Sequence, residues 1–214
     1  MTRVLLTGFA PFDGASTNPS WQAVRDAAAE PPAGIEMSAV ELPCVYGASV
    51  AVLRAAIVEA RPEIVVCVGQ AGGRPDITVE RLAVNVDDAR IPDASGAEPV
   101  DEAIVPGGPA AYFSTLPIKA CVAAVRAAGL PASVSNTAGT FVCNHVFYGL
   151  AHLLATELPG IRGGFVHVPY APEQVLDRAE PSLPTEAVTR ALREIALTAA
   201  RTRTDIRVAG GATH

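Results

Sequence analysis

The sequence predicts a single α/β domain with a largely parallel, twisted central sheet and helices on both faces. Apolar, β-branched runs alternate along the chain with segments whose apolar residues recur at helical spacing. One run, Ile64–Val68, is apolar throughout, as expected for a strand buried on both faces near the centre of a parallel sheet. The 214 residues contain no internal repeat and no linker-like stretch, and one core can accommodate that length, so we expect residues 1–214 to form one domain.

The first half of the chain predicts two successive strand–helix units. Val4–Leu6 is a short strand that ends in a loop, and Asn18-Pro19-Ser20 begins a helix with Trp21, Val24 and Ala28 along one side. Residues 35–42 alternate as a second strand, and residues 46–60 predict a second helix. The apolar face of this second helix consists of Val50, Leu53, Ile57 and Val58.

The second half continues the alternation after a long irregular segment. Residues 87–108 are polar, rich in Pro, Gly and Asp, and without periodicity, which favours a functional lid or an irregular excursion. We expect a flexible tail from about residue 203 to residue 214. The expected elements are strands at 77–86, 132–135 and 163–169 and helices at 117–128, 144–157 and 185–199.

Composition excludes several classes of partner. The net charge is −6 and no basic cluster is present, which argues against nucleic acid or an anionic membrane and favours a small or peptidic ligand. The N-terminal apolar run is too short for a signal sequence, and no run is long enough to span a membrane, so we expect a cytoplasmic protein. The four cysteines lack C-x-x-C spacing, which predicts free thiols and neither a zinc site nor a thioredoxin motif.

Cys143 lies where a turn meets a helix. It follows the predicted strand 132–135 and precedes the predicted helix 144–157, a junction at which α/β enzymes place reactive groups. The unpaired N–H groups and the positive dipole end of a helix stabilise an anion, which predicts a lowered thiol pKa and a site for an oxyanion. The alternative is a small apolar core residue.

A nucleophilic thiol needs a base, and the four histidines differ in their ability to serve. His145 is two residues from Cys143 and points away on a helix, His152 is more than two turns further on, and His214 ends the predicted tail. His167 ends an apolar strand, and the carboxyl ends of parallel strands meet at the ligand crevice. His167 is therefore the candidate base, the alternative being a structural histidine.

Glu80 is the candidate partner of that histidine. In a strand over 77–86 it shares a face with Leu82 and Val84, and a carboxylate on an apolar face needs a partner. The alternative is a strand-end glutamate in solvent. Cys143, His167 and Glu80 would then supply nucleophile, base and orienting carboxylate.

Two glycine-containing loops could approach a ligand. In the loop at residues 8–14, Phe and Pro occupy the positions where backbone must approach a phosphate, and no G-K-[ST] follows, which argues against a phosphate loop. The loop Gly69–Arg74 lets backbone come close to a ligand, or is simply a tight turn.

Seven blocks of sequence, in order across nearly the whole chain, together resemble pyroglutamyl peptidase type I. The blocks are Gly8–Phe12, Gly69–Arg74, Glu80–Asn85, Asp88–Asp93, Tyr112–Pro117, Gly139–Asn144 and Phe165–Pro169. The resemblance implies a three-layer αβα fold and a cytosolic, cofactor-free cysteine exopeptidase that removes N-terminal pyroglutamate from peptides. It also implies a triad at Cys143, His167 and Glu80, no metal, and a homotetramer.

The resemblance further implies a substrate pocket. Its positions map onto Phe9, Phe12, Gln70, Phe141 and Val142, and an arginine near the site maps onto Arg90. Apolar walls and a few hydrogen bonds suit a neutral lactam, and the Cys143 N–H with Arg90 could hold the oxyanion.

Two positions depart from the family pattern. Cys44 replaces an expected Thr, and Asp93-Ala94 replaces Asp-Asn. The competing hypotheses are a phosphorylase on a similar framework and a catalytically silent peptide-binding or thiol redox protein.

Overall fold

Six strands form the central sheet of the computed structural model, which describes residues 1–211. The strands of the chain are β1 (Thr2–Phe9), β2 (Ile35–Leu42), β3 (Ile64–Gln70), β4 (Ile77–Glu80), β5 (Leu82–Val84), β6 (Ala111–Phe113), β7 (Ala132–Ser135) and β8 (Arg162–Val168). In the central sheet they follow the order β2-β1-β3-β8-β4-β7, and every neighbouring pair is parallel except β8 with β4. The largely parallel sheet predicted from the alternation is confirmed, and β3 is buried along almost its whole length, as its apolar sequence indicated.

The helices cover both faces of this sheet. They are α1 (Pro19–Ala29), α2 (Ala48–Ala60), α3 (Ile118–Ala127), α4 (Val142–Thr156) and α5 (Thr185–Arg201). Helices α1, α3 and α5 pack in one hydrophobic cluster, and α2 and α4 pack in a second cluster across the sheet. This is the expected three-layer αβα arrangement. None of the described helices has the length and apolar character needed to cross a bilayer.

The predicted strand at residues 77–86 is wrong, because the chain changes sheet at Arg81. β4 ends at Glu80, and β5 pairs with β6 in a separate antiparallel ribbon. The backbone of Arg81 is held between the two sheets, donating its N–H to Ser135 O (2.9 Å) and accepting from Ser114 N (2.8 Å). Leu82 and Val84 are therefore not on a common strand face with Glu80, and the buried residue of β5 is Ala83.

The predicted apolar face of α2 is also partly wrong. Ile57 is buried, but Val58 is 61% exposed. Successive residues on an α-helix lie about 100° apart, and because Leu53 and Ile57 face the sheet, Val58 is turned towards solvent.

Residues 202–211, the described part of the chain after α5, have no regular structure but contact the domain. Both carboxylate oxygens of Asp205 accept backbone N–H groups at the start of α3, from Lys119 (3.0 Å) and Ala120 (2.9 Å). The Arg81 guanidinium donates to Gly210 O. The expected flexibility of the tail stays a prediction, and residues 212–214, which include His214, lie outside the described residues.

Candidate active site

Cys143 is the second residue of α4, so the helix begins earlier than the predicted residue 144. Phe141 is extended and precedes the first helical residue, Val142. The His145 N–H donates to Phe141 O (3.1 Å), which is the first backbone hydrogen bond of the helix. The N–H of Cys143 lies before it, among the groups that a helix leaves without an internal partner. It is therefore available to an oxyanion beside the thiol.

A glycine on β3 makes room for the thiol. A Cβ atom added to Gly69 would lie 2.7 Å from Cys143 Sγ and 3.0 Å from Phe165 Cζ. Gly69 is the register partner of His167 on β8, and neighbouring strands are about 4.8 Å apart. Because Gly69 has no side chain, the Cys143 thiol can lie against β3 beside His167. Cys143 and His167 line the same cavity.

Glu80 reaches His167 across the antiparallel pair β4 and β8. Thr78 is the register partner of His167, and Glu80 lies two residues further on the same face, in a diagonal position. The Nδ1 atom of His167 is 2.7 Å from Glu80 Oε1, and both side chains are almost fully buried. The structure therefore brings Cys143, His167 and Glu80 together on the α4 side of the sheet.

Arg74 completes this group and was not among the predicted site residues. Its Nη1 donates to Glu80 Oε1 (2.6 Å) and also to Thr78 Oγ1, and its Nη2 donates to Thr137 O (3.0 Å). The sequence contained a signal for Arg74, because a buried carboxylate needs a cationic partner and Arg74 is the last residue of the loop Gly69–Arg74.

Burial and charge set the protonation states of the three groups. Burial would raise the pKa of Glu80, but the hydrogen bond and charge of His167, then the charge of Arg74, lower it below its usual value. Burial lowers the pKa of His167, and Arg74 acts in the same direction, against the hydrogen bond and charge of Glu80. Burial raises the pKa of Cys143, with Cys44 and Glu80 adding to this effect and Arg74 opposing it. At neutral pH the site thus holds a thiol, a neutral imidazole and a carboxylate, contrary to the expected lowered thiol pKa.

The other described histidines have structural partners. His145 Nδ1 is 2.8 Å from Asp87 Oδ2, and its Nε2 accepts the Gly47 N–H (3.0 Å). His152 Nδ1 is 3.0 Å from the Tyr112 hydroxyl. Among the histidines within residues 1–211, His167 is the one that lines the cavity with Cys143.

The cavity beside Cys143 has a volume of about 440 Å³. The predicted residues that line it, besides Cys143 and His167, are Phe12, Gln70, Phe141 and Arg90. The Phe12 and Phe141 rings lie 5.9 Å apart and form an apolar wall. This is the kind of surface that a small neutral ring requires.

Phe9 and Val142, two further predicted pocket residues, do not line this cavity. Phe9, at the end of β1, is 3% exposed and packs against Phe165 at 6.4 Å between ring centroids. Val142 is fully buried in the same cluster, because the first turn of α4 directs it to the sheet. Both lie in the core that supports the site.

Two connections hold the polar loop and β5 against α4. Asp88 and Thr140 exchange two hydrogen bonds, from Asp88 N to Thr140 O (2.9 Å) and from Thr140 Oγ1 to Asp88 O (2.8 Å), which places Arg90 at the cavity. The Asn144 side chain accepts from Val84 N (3.0 Å) and donates to Val84 O (2.9 Å). Part of the predicted lid is thus anchored beside the nucleophile.

A second cavity, of about 570 Å³, adjoins the first. The two share Phe12, Asp13, Gln70 and Tyr170. The second cavity adds charged and amide side chains from the chain after β8, namely Glu173, Gln174 and Arg178. A ligand larger than one ring therefore has polar space in which to continue.

The remaining cysteines are buried and do not line the cavity. The described chain contains four free thiols, and Cys143 alone of them is half-buried. Cys44, at the position that departs from the family pattern, packs in the same hydrophobic cluster as Cys143. Within residues 1–211 no group of three or more His, Cys, Asp or Glu side chains is placed to hold a metal ion. The absence of a cofactor stays a prediction.

Comparisons with known proteins agree over nearly the whole chain. A family model described as pyroglutamyl peptidase matches residues 2–202. The pyrrolidone-carboxylate peptidase of Streptomyces coelicolor is 64% identical, with both chains covered completely. A crystal structure of Bacillus amyloliquefaciens pyroglutamyl peptidase I is 51% identical and superposes with a TM-score of 0.93, covering 96% of this chain and 100% of that one. The Thermococcus litoralis pyrrolidone carboxyl peptidase is 36% identical with a TM-score of 0.92, covering 98% and 100%.

Proposed function

The chain belongs to the pyroglutamyl peptidase family, cysteine peptidases that remove N-terminal pyroglutamate, and we propose that Cys143, His167 and Glu80 perform this reaction. The observation that carries the proposal is the position of His167. Its Nδ1 is hydrogen-bonded to Glu80, and His167 lines the same cavity as Cys143. The role of each residue follows from its protonation state.

His167 acts as a general base towards a neutral thiol. The ionised Glu80 can only accept, so the Nδ1 of His167 carries the proton and Nε2 is unprotonated. As Sγ attacks the scissile carbonyl carbon, Nε2 takes the thiol proton, and the carbonyl electrons move to the oxygen. The Cys143 N–H and Arg90 stabilise this oxyanion. Glu80 stabilises the imidazolium that forms.

Collapse of the tetrahedral intermediate releases the peptide. The C–N bond breaks, and the imidazolium of His167 gives its proton to the leaving amine, so a thioester remains on Cys143. Water, deprotonated by His167, then attacks the thioester. The C–S bond breaks, His167 gives the proton taken from water to the leaving thiolate, and the products are pyroglutamate and the free thiol, with water as the one further reactant consumed.

The two cavities divide the substrate between them. The lactam ring lies against Phe12 and Phe141, with Gln70 as its polar contact, and the peptide that follows continues into the second cavity. The lactam is the first residue of its chain, so nothing precedes it, whereas the leaving peptide needs an exit. Asp13 and Glu173 make no ion pair with another described residue and line that exit.

One assay tests the activity together with its selectivity. Release of a fluorescent amine is measured from its pyroglutamyl and prolyl conjugates. A prolyl group lacks the ring carbonyl and carries a charged amine, and sites built on such hydrogen bonds reject analogues by about 10⁴- to 10⁵-fold. Comparable kcat/KM on both conjugates would contradict the lactam pocket. Turnover that requires phosphate would indicate the phosphorylase, and binding without release would indicate the silent protein.

The nucleophile is tested separately. Cys143→Ala should abolish turnover and leave the fold intact, and alkylation should modify Cys143 before the buried Cys44, Cys67 and Cys121. Peptide mapping that finds another cysteine alkylated first with activity retained would refute the assignment.

We further propose the homotetramer and the cytoplasmic location implied by the resemblance. Light scattering of the purified protein tests the tetramer.

A further inference from the structure

Gln174 lines the second cavity and contacts Gln70, which lines both cavities. It ends a single 3-10 turn, Pro172–Gln174, after β8. Its Oε1 accepts the Ala171 N–H (2.9 Å), and its Nε2 donates to Gln70 Oε1 (3.0 Å). A backbone N–H can only donate, so the atom of Gln174 that faces Ala171 must be the oxygen. The atom that faces Gln70 is then the nitrogen.

This arrangement fixes the polarity of the Gln70 amide. Gln174 presents an N–H, so Gln70 must turn its oxygen towards Gln174 and keep its NH₂ group for the cavity. Thr17 O, 3.4 Å from Gln174 Nε2, is a second acceptor that favours the same orientation. The backbone at Gln70 is also held, because it pairs with Val168 and the next N–H donates to Val168 O (2.8 Å).

We propose that Gln174 is a specificity-determining positioning residue, which orients the Gln70 amide as a hydrogen-bond donor to the ring carbonyl of the lactam. The inference rests on the proposed function. A pyroglutamyl ring has a carbonyl that accepts such a hydrogen bond, whereas a prolyl ring has none and carries an ammonium group that repels donors. The relay from Ala171 through Gln174 to Gln70 thus favours the lactam over a proline ring of nearly the same shape.

The substitution Gln174→Glu inverts this relay at constant size. A carboxylate can still accept the Ala171 N–H, but it can only accept from Gln70, so the Gln70 amide must rotate and turn its oxygen to the cavity. We expect kcat/KM for the pyroglutamyl conjugate to fall about 10- to 100-fold, mainly through KM, because the ring carbonyl then faces an acceptor. The ratio of pyroglutamyl to prolyl kcat/KM should fall at least as much.

Two further variants separate orientation from the added charge. Gln174→Met leaves Gln70 without a preferred orientation, so the pyroglutamyl conjugate should lose less activity than with Gln174→Glu. In a Gln70→Met background no amide can invert, and Gln174→Glu should then change the selectivity ratio little. If Gln174→Glu lowered the selectivity ratio as much in the Gln70→Met background as in the wild-type protein, the added charge would explain the effect and the inference would be overturned.

A direct measurement covers the case in which the variants fold poorly. In the wild-type protein, the side-chain NH₂ resonances of Gln70, assigned with Gln70→Met, should shift when free pyroglutamate is added and should not shift with proline. Absence of that shift, or an unchanged selectivity ratio in a folded Gln174→Glu variant, overturns the role of Gln174. A wild-type protein that does not hydrolyse the pyroglutamyl conjugate would instead refute the proposed function.

Discussion

Gly69→Ala should lower the rate of the reaction about 10²-fold without changing the backbone conformation at residue 69. Gly69 is not among the glycines with positive φ, so alanine can adopt its conformation. The added Cβ would lie 2.7 Å from Cys143 Sγ, whereas non-bonded heavy atoms in contact are about 3.5–4.0 Å apart. The thiol must therefore move by about 1 Å, and a displacement of that size in an active site costs about 10²-fold in rate.

The assay compares kcat/KM on the pyroglutamyl conjugate with the rate of Cys143 alkylation and with the free energy of unfolding. The same Cβ would lie 3.0 Å from Phe165 Cζ, and such overpacking typically destabilises by about 1–3 kcal/mol, so the variant should still fold. Gly210→Ala is the matched control, because the nearest atom to its added Cβ is Val134 Cγ2 at 3.6 Å. Wild-type kcat/KM in Gly69→Ala would refute the placement of the thiol against β3.

Three other substitutions test the orienting carboxylate, its cation and the C-terminal contact. Glu80→Gln keeps the shape but removes the charge that stabilises the imidazolium, so kcat should fall by about 10²- to 10⁴-fold; near-normal kcat would make Glu80 structural. Arg74→Met removes a charge that lowers the pKa of both His167 and Glu80, so both pKa values should rise and the acid limb of the pH profile of kcat/KM should move to higher pH. Arg81→Met is its control, because that guanidinium contacts Asn136 and Gly210 O instead, and an equal shift there would count against a specific role for Arg74. Asp205→Ala leaves two N–H groups of α3 without their acceptor and should reduce the free energy of unfolding by about 0.5–2 kcal/mol in urea denaturation, with activity per folded molecule unchanged; an unaltered midpoint would mean that the tail does not cap α3 in solution.

The fold class follows from local patterns in the sequence. Whether a segment buries one face, both faces or none is recorded in the spacing of its apolar residues, so the strand–helix alternation and the buried strand β3 were predictable. The same holds for Cys143 and His167 as candidates, because each lies at the end of a strand or the start of a helix. The two-stranded ribbon was missed, because its strands are only three residues long and carry almost no periodic signal.

The direction of β4 was not predictable from its sequence. Glu80 was expected to need a partner because a strand over residues 77–86 would place it on an apolar face, yet β4 ends at Glu80 and runs antiparallel to β8. The two side chains meet because Thr78 pairs with His167 and places Glu80 on the diagonal. The Glu80–His167 hydrogen bond thus depends on strand direction and register, and the catalytic role of Glu80 stays a prediction.

The details of the site depend on contacts between residues far apart in the chain. Glu80 and His167 are 87 positions apart, and Gln70 and Gln174 are 104 apart, so no local pattern records either hydrogen bond. Burial of the Cys143 thiol, which raises its pKa where the helix start alone suggested a lowered one, likewise depends on what the sheet and neighbouring loops place around it. Periodicity reports which face of an element is apolar, but which polar groups meet in the assembled core is set by strand order, register and direction.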